Sequence, residues 1–358
     1  MAVNEVTGSG IVGSGETPEP TPQPAGRRGG SGGPLNAVLR IRELAVVVVN
    51  IVLIIAFSLS SPGFFSSGNI SNIANFTSAA AIIAAGEVFL LVCGDIDLSA
   101  GMTFALVPIV MTTLNTNHAV PLLLALIIGL AIAALIGLFN GLVTQYLRLP
   151  SFITTLGTLY VIHGITLQIA GSTPLPAPQP SGLTGFSHYL VNVMGGTEWS
   201  ELTWAILLAI VLQIVLTQTR WGTYTIATGA NTLGSSEAGI KTRQIRIRAF
   251  VLTAVLAGIG GVLDGTHISQ SFDPNAGGNN LMFLAVASCV IGGTALLGGS
   301  GTVIGAFLGA LLLGVLEDGF NIRGISANTF VVVEGIAILL AMVLNTFLAR
   351  FRRGAKEA

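Results

Sequence analysis

The sequence predicts an all-α integral membrane protein of about ten transmembrane helices, some of them broken, with both termini cytoplasmic. Three observations carry this reading. Of the 358 residues, 52% are hydrophobic and only 9% are Asp, Glu, Lys or Arg, where an ordinary soluble domain carries roughly 25% charged residues. The 46 glycines suit helices packed in lipid, where close backbone approach replaces the hydrophobic effect as the source of helix association. Apolar segments long enough to cross the hydrocarbon core, about 20 residues, recur along the whole chain.

These segments lie near residues 44–60, 70–92, 97–114, 121–146, 151–170, 202–219, 247–268, 280–297, 301–317 and 328–349. The region 280–317 reads either as two spans or as one broken hairpin. Orientation follows from the 15 Lys and Arg residues, which are retained on the cytoplasmic side during insertion. With the N-terminus inside, Arg27, Arg28, Arg40, Arg42, Arg148, Arg220, Lys241, Arg243, Arg246, Arg248, Arg350, Arg352, Arg353 and Lys356 face the cytoplasm. Only Arg323 falls outside, and this split of 14 to 1 points to an even number of spans.

Residues 1–36, dominated by Gly, Pro, Ser and Thr, are expected to form a disordered cytoplasmic tail before a membrane domain over 37–350. No apolar run precedes the first span, so no cleavable leader is expected. Residues 351–358 read as a basic cytoplasmic C-terminal tail. Two loops are long. Residues 171–201 hold four prolines between Ser172 and Pro180 and no Lys or Arg, so they are expected outside. Residues 220–246 are polar and basic, with helix-permitting composition over Asn231–Ile240, and are expected on the cytoplasmic face.

Several function classes are disfavoured. The chain has two lysines, Lys241 and Lys356, and neither sits in a phosphate-binding loop, where a lysine must reach the nucleotide. Gly299-Ser300-Gly301 lies between two apolar spans rather than between a strand and a helix, so it is not a dinucleotide fingerprint. His118, His163, His188 and His267 show no metal-ligand spacing, and Cys93 and Cys289 read as packing residues. A net charge of −1 gives no field for nucleic acid. Neither a catalytic site nor a metal or cofactor on this chain is expected.

What stands out instead is polarity inside apolar runs: Glu87, Asp95, Asp97, Asn140, Gln168, Asp264 and Glu334. An ionised group at the centre of a lipid-exposed helix costs at least about 2.5–3.5 kcal/mol, so each is expected to face protein or water. The clearest case is Cys93-Gly-Asp-Ile-Asp-Leu-Ser-Ala-Gly101, which interrupts two apolar helices with two carboxylates and a hydroxyl. Broken helices are tolerated at membrane depth only in contact with protein or a cavity. A plainer role is capping of the following helix by Asp97 and Ser99. Glycine stripes at 301, 305 and 309, at 137 and 141, and at 261 and 265 read first as close helix contacts and second as space beside a substrate path. Gly94, Leu98 and Gly101 are echoed at Gly292, Leu296 and Gly299, an offset too sparsely matched to carry weight.

These residues resemble the permease family of sugar ABC importers of the ribose, galactose, arabinose and xylose type. Gly94-Asp-Ile-Asp-Leu-Ser-Ala-Gly101 is similar to that family's Gly-Gly-Ile-Asp-Leu-Ser-Val-Gly signature. The resemblance continues through Gly141-Leu-Val-Thr144, Leu149-Pro-Ser-Phe-Ile-Thr-Thr-Leu-Gly157, Gly292-Gly-Thr294 and Gly298-Gly-Ser-Gly-Thr-Val-Ile-Gly305. In the cytoplasmic loop, Ala227-Thr-Gly-Ala-Asn231 and Ser236-Glu-Ala-Gly-Ile240 resemble the coupling helix that docks into the ATPase subunit. Leu233-Gly-Ser235 stands where Glu-Ala-Ala is common, so the contact surface departs from the usual pattern.

The resemblance implies a multi-pass protein of the bacterial plasma membrane, embedded in lipid and paired with a second permease copy. It also implies an ATPase subunit with two nucleotide sites, where ATP and Mg are bound, and an extracytoplasmic sugar-binding protein. On this reading Asp95, Asp97, Ser99, Asn140 and Gln168 line or shape the substrate path, and Gly229, Asn231, Glu237, Gly239 and Ile240 couple to the ATPase. The competing readings are an importer of a nucleoside, polyol, signalling furanose or branched-chain amino acid, and an ion-coupled transporter using Glu87, Asp264 and Glu334. A membrane-embedded enzyme has no catalytic constellation in its favour.

Overall fold

A computed structural model describes residues 43–178, 185–195, 199–267, 270–326, 328–329, 331–340 and 343. Both expected tails lie outside the described residues, as do Arg27, Arg28, Arg40, Arg42, Arg350, Arg352, Arg353 and Lys356. The described chain is a helical bundle. The helices run α1 (Leu44–Ser60), α2 (Ser67–Cys93), α3 (Ala100–His118), α4 (Leu122–Tyr146) and α5 (Ser151–Ala170). After them come α6 (Gly185–Gly195), α7 (Ser200–Gln218), α8 (Arg220–Ala230), α9 (Thr232–Glu237), α10 (Thr242–His267), α11 (Gly278–Ile291) and α12 (Val303–Ile322). A further apolar helix, α13, covers Val331–Leu340.

Six of these, α2, α4, α5, α7, α10 and α12, are long and apolar enough to cross a membrane. Three apolar segments are shorter: α1, the Asn280–Ile291 part of α11, and α13. The remaining expected span, α3, carries Pro108 and ends in the polar stretch Thr112–His118. Its first half is buried among other helices. A helix surrounded by protein rather than lipid has no need to be apolar throughout.

The bundle is organised around α2. Ser66 accepts a hydrogen bond from the Asn69 amide and so caps its start. From Thr77 to Cys93 every residue is buried. The most apolar window of α2 is 94% buried, against 33% for α4 and 28% for α5. The central helix is therefore wrapped by α7, α8, α10, α11 and α12, while α4 and α5 each leave one face uncovered by the other helices. That outer face carries exposed Leu135, Phe139, Ile153 and Val161.

Glycines set the helix separations. Gly137 and Gly141 press α4 onto the α10 backbone at Phe250, Val251 and Ile247, and Gly261 presses α10 onto Phe104 of α3. Gly305 and Gly309 bring α12 against Gly292 and the Ser288 carbonyl. These stripes are packing surfaces, with one amendment. Gly301 precedes α12 and lies in the connecting turn against Thr294, so the stripe expected at 301, 305 and 309 is confined to 305 and 309.

The region 280–317 forms two helices, with α11 ending at Ile291 rather than near 297. Its end coincides with Gly292 and Gly293, and Gly293, Gly298 and Gly299 all take positive φ, which glycine alone adopts without strain. The proline-rich loop is less irregular than composition suggests. Leu175–Pro176 (β1) pairs antiparallel with Ser271–Phe272 (β2), and α6 occupies its middle. Glu201, expected in that loop, is buried in the first turn of α7. The two cysteines are free and buried.

Replacing Gly137 by Leu should force α4 and α10 apart and cost about 1–3 kcal/mol. Gly164→Ala, at a helix position with no neighbour within 4 Å, should be neutral or gain up to about 1 kcal/mol. Thermal unfolding of the detergent-solubilised protein checks both, and equal effects would refute this packing assignment.

Candidate functional site

The site begins where α2 stops. Gly94 takes φ 81°, a left-handed conformation suited to glycine. Its amide donates to the Leu91 carbonyl at 2.9 Å and the Asp95 amide donates to the Leu90 carbonyl at 2.9 Å. This pair of bonds is a Schellman motif, which satisfies carbonyls that the helix end would otherwise leave open. The next carbonyl, Val92, accepts the Gly299 amide at 2.8 Å from the turn between α11 and α12. The two segments that echo each other in sequence thus touch in space.

Residues 94–99 form a turn held on several sides. The Ile96 amide donates to Ser151 Oγ at 3.2 Å and the Leu98 amide to Thr155 Oγ1 at 3.1 Å, both on α5. Asp97 Oδ1 accepts the Ser99 amide at 2.9 Å and the Ser99 hydroxyl at 2.6 Å. Asp97 therefore caps the start of α3. Ser99 makes no side-chain cap of its own, because its hydroxyl is committed to Asp97.

Asn140 of α4 joins this cluster. Its amide nitrogen donates to Ser99 Oγ at 2.8 Å and lies 3.3 Å from Asp97 Oδ1, and its carbonyl oxygen accepts the Thr158 hydroxyl at 2.7 Å. Asp97, Ser99 and Asn140 are fully buried. The result is a satisfied polar network spanning α3, α4 and α5. Such networks rigidify a site, because every alternative leaves a buried polar group unpaired.

Asp95 points elsewhere. Its Oδ2 lies 3.4 Å from Arg246 Nη1 on α10 and accepts Gln145 Nε2 of α4 at 3.5 Å. Together with Arg148, Arg243 and Thr232, these residues line a cavity of about 680 Å³. Arg243 lies over the Tyr146 ring at 5.5 Å. Burial pushes the Asp95 carboxyl above its ordinary value, and the Arg246 guanidinium pulls it part of the way back. Gln168 is not part of either group. It is exposed ten residues beyond Thr158 on α5, about 15 Å further along the helix.

The expected coupling segment packs against the same turn. Gly229 of α8 sits on the Val92 carbonyl and the Gly299 amide, where a side chain has no room. Trp221 stacks on Phe89 of α2 with ring centroids 5.1 Å apart. Asn231 ends α8 and caps α9, its Oδ1 accepting the Gly234 amide at 2.9 Å. Gly239 takes φ 83° and Ile240 returns its amide to the Ser235 carbonyl at 3.0 Å. Asn231, Leu233, Glu237 and Gly239 are exposed, and Ile240 is half-buried.

Sequence reasoning missed Ser151, Thr155, Thr158, Gln145 and the particular role of Arg246. The first three lie at i, i+4 and i+7, a polar stripe on one face of α5 that helical periodicity makes legible. Arg246 looked like one of several cytoplasmic basic residues, and only the fold pairs it with Asp95.

Two variants check this arrangement. Asn140→Leu removes the donor to Asp97 and Ser99 and leaves the Thr158 hydroxyl with only the Thr154 carbonyl as acceptor, so thermal unfolding should report a loss of about 1–3 kcal/mol. Arg246→Met removes the charge that holds Asp95 down. A carboxyl raised in the folded state favours folding at low pH and loses that contribution as pH rises through its folded value. The Arg246→Met protein should therefore be most destabilised, relative to the parent, at neutral and alkaline pH. Adding Asp95→Asn should flatten that pH dependence, and a flat profile in the single variant would contradict it.

A family model described as the permease component of branched-chain amino acid transport systems matches residues 69–342. The xylose/arabinose import permease protein XylH of Sulfolobus acidocaldarius is 33% identical over 322 residues, covering 88% of this chain and 88% of that one. The galactose/methyl galactoside import permease protein MglC of Escherichia coli is 32% identical, covering 86% of this chain and 94% of its own. The ribose import permease protein RbsC of Escherichia coli is 30% identical, covering 85% and 94% respectively. No solved structure matches the chain significantly. With the family model spanning most of the chain and relatives aligned across nearly their whole length, the chain belongs to the permease family that the xylose/arabinose, galactose and ribose import permeases share.

Proposed function

We propose that this chain is the membrane-spanning subunit of an ATP-driven, binding-protein-dependent importer of a pentose or hexose. The observation that carries the reading is the set of relatives, whose names specify import of xylose or arabinose, galactose and ribose. The permease provides the path, with ten spans and both termini in the cytoplasm, an orientation that the distribution of Lys and Arg supports. Two copies pair in the plasma membrane. The ATPase subunit with its two nucleotide sites binds ATP and Mg, and an extracytoplasmic binding protein delivers the sugar.

In this mechanism Asp95, Asp97, Ser99, Asn140 and Gln168 shape the polar path. Asp95 offers carboxylate oxygens at the cavity wall, acceptors suited to sugar hydroxyls, and the closed network of Asp97, Ser99 and Asn140 holds the turn that carries it. Gly229, Asn231, Glu237, Gly239 and Ile240 couple to the ATPase, with Asn231, Glu237, Gly239 and Ile240 at the contact and Gly229 behind it against α2. Exposure of Leu233, 71%, at the start of α9 gives this contact an apolar centre. Movement of the docked partner reaches α2 through the tight Gly229–Val92 contact, and rigid-body motion of this kind is how packed helices pass on a displacement.

A second reading, import of a branched-chain amino acid, is favoured by the description of the matching family model. Affinity purification of the tagged chain from native membranes should recover an ATPase, and uptake in reconstituted vesicles should need ATP and the binding protein. Excess unlabelled pentose or hexose should abolish that uptake, whereas inhibition by leucine and not by sugars would select the second reading. Alanine at each of the five path residues should lower uptake by about tenfold where a path contact is lost. Unchanged uptake in all five would sink the path assignment.

A further inference from the structure

We propose that Arg246 is a positioning residue that ties α9 to the turn between α2 and α3, so that displacement of one carries the other. The tie is geometric, and its use in transport rests on the importer reading. Arg246 lies in the first turns of α10. Its two terminal nitrogens serve different elements. Nη1 lies 3.4 Å from Asp95 Oδ2, and Nη2 donates to Thr232 Oγ1 at 3.0 Å. Thr232 is the first residue of α9, and its hydroxyl donates in turn to the Thr228 carbonyl of α8 at 2.8 Å. The hydroxyl proton is therefore engaged, and its lone pair is what Arg246 takes.

A guanidinium is planar and rigid, so its two arms cannot be adjusted independently. The side chain of Asp95 is 7% exposed and that of Arg246 21%, so the pair, at the wall of the cavity, is partly shielded from the solvent screening that makes surface ion pairs weak. Asp95 follows directly on the Schellman turn, and Ile96 and Leu98 beside it hold Ser151 and Thr155 of α5. A shift of α9 thus has a polar route to the N-terminus of α5, separate from the apolar contact of α8 with α2. Lysine at 246 keeps the charge against Asp95 but, as a single ammonium, cannot reproduce the fork.

The test uses the whole importer, this chain with its ATPase subunit and binding protein, in proteoliposomes, with uptake and ATP hydrolysis followed together. Arg246→Met should lower solute carried per ATP by roughly tenfold, the size of a typical coupling between sites, while ATP hydrolysis persists. Arg246→Lys, which cuts only the arm to α9, and Thr232→Val, which cuts that arm together with the bond to the Thr228 carbonyl, should give a smaller loss of about threefold to fivefold. A merely structural role lowers the amount of folded protein and leaves the ratio of solute to ATP unchanged, and that result would overturn the proposal. Hydrogen exchange on the purified chain gives a readout independent of transport. In Thr232→Val and Arg246→Lys the amides of residues 232–240 and of Ile96 and Leu98 should lose protection together. Unaltered protection in both segments would refute the tie. If the parent protein takes up solute without ATP, the importer reading fails, and the exchange experiment still decides whether Arg246 joins the two segments.

Discussion

A helix surrounded by protein on all sides has to end somewhere, and its last carbonyls then have no water to turn to. α2 is in that position. The fold answers with the left-handed Gly94, whose turn returns its own amide to Leu91 and that of Asp95 to Leu90, and with Gly299, whose amide reaches the Val92 carbonyl from the turn between α11 and α12. Much of the candidate site follows from this constraint. The chain must turn sharply inside the bundle, the turn exposes amides of its own, and Ser151 and Thr155 receive them.

The same turn explains why carboxylates are tolerated beside apolar helices. Asp97 does not enter lipid. It accepts bonds from Ser99 and Asn140, and Asn140 is satisfied by Thr158, so the network closes on itself. Asp95 lies on the outer side of the turn, where Arg246 supplies an opposite charge. Two carboxylates separated by a single residue thus have different partners: one completes a buried hydrogen-bond network, the other joins an ion pair at a cavity wall. The helix separations that permit this are set by Gly137, Gly141 and Gly261, which let backbone meet backbone without an intervening side chain.

Much of this was legible beforehand. The apolar segments announced the helices because their lengths match a bilayer, and the family was legible in the signature from Gly94 to Gly101 and in its companions near 149 and 298. Less legible were the ends of elements and the order hidden in loops. Composition placed Gly301 in a helical stripe and α11 as far as residue 297, because glycine spacing alone does not separate a helix face from a glycine-rich turn. The proline-rich segment read as irregular, yet two of its residues find a strand partner almost a hundred positions away, a pairing that no local pattern encodes.

Sequence by itself determined that this protein is helical and apolar, that its polar residues need protection, and which family it belongs to. Those properties reside in composition, periodicity and short motifs, all of which are local. Only the tertiary structure decided which polar residues share a site. Asn140 and Thr158 meet Asp97 and Ser99, Arg246 meets Asp95 across 151 positions, and Gln168 stands apart despite lying on the same helix as Thr158. The reason is physical. Partners for buried charge are chosen by which helix faces pack together, and glycine contacts between distant segments, rather than the residues flanking the charge, set that packing.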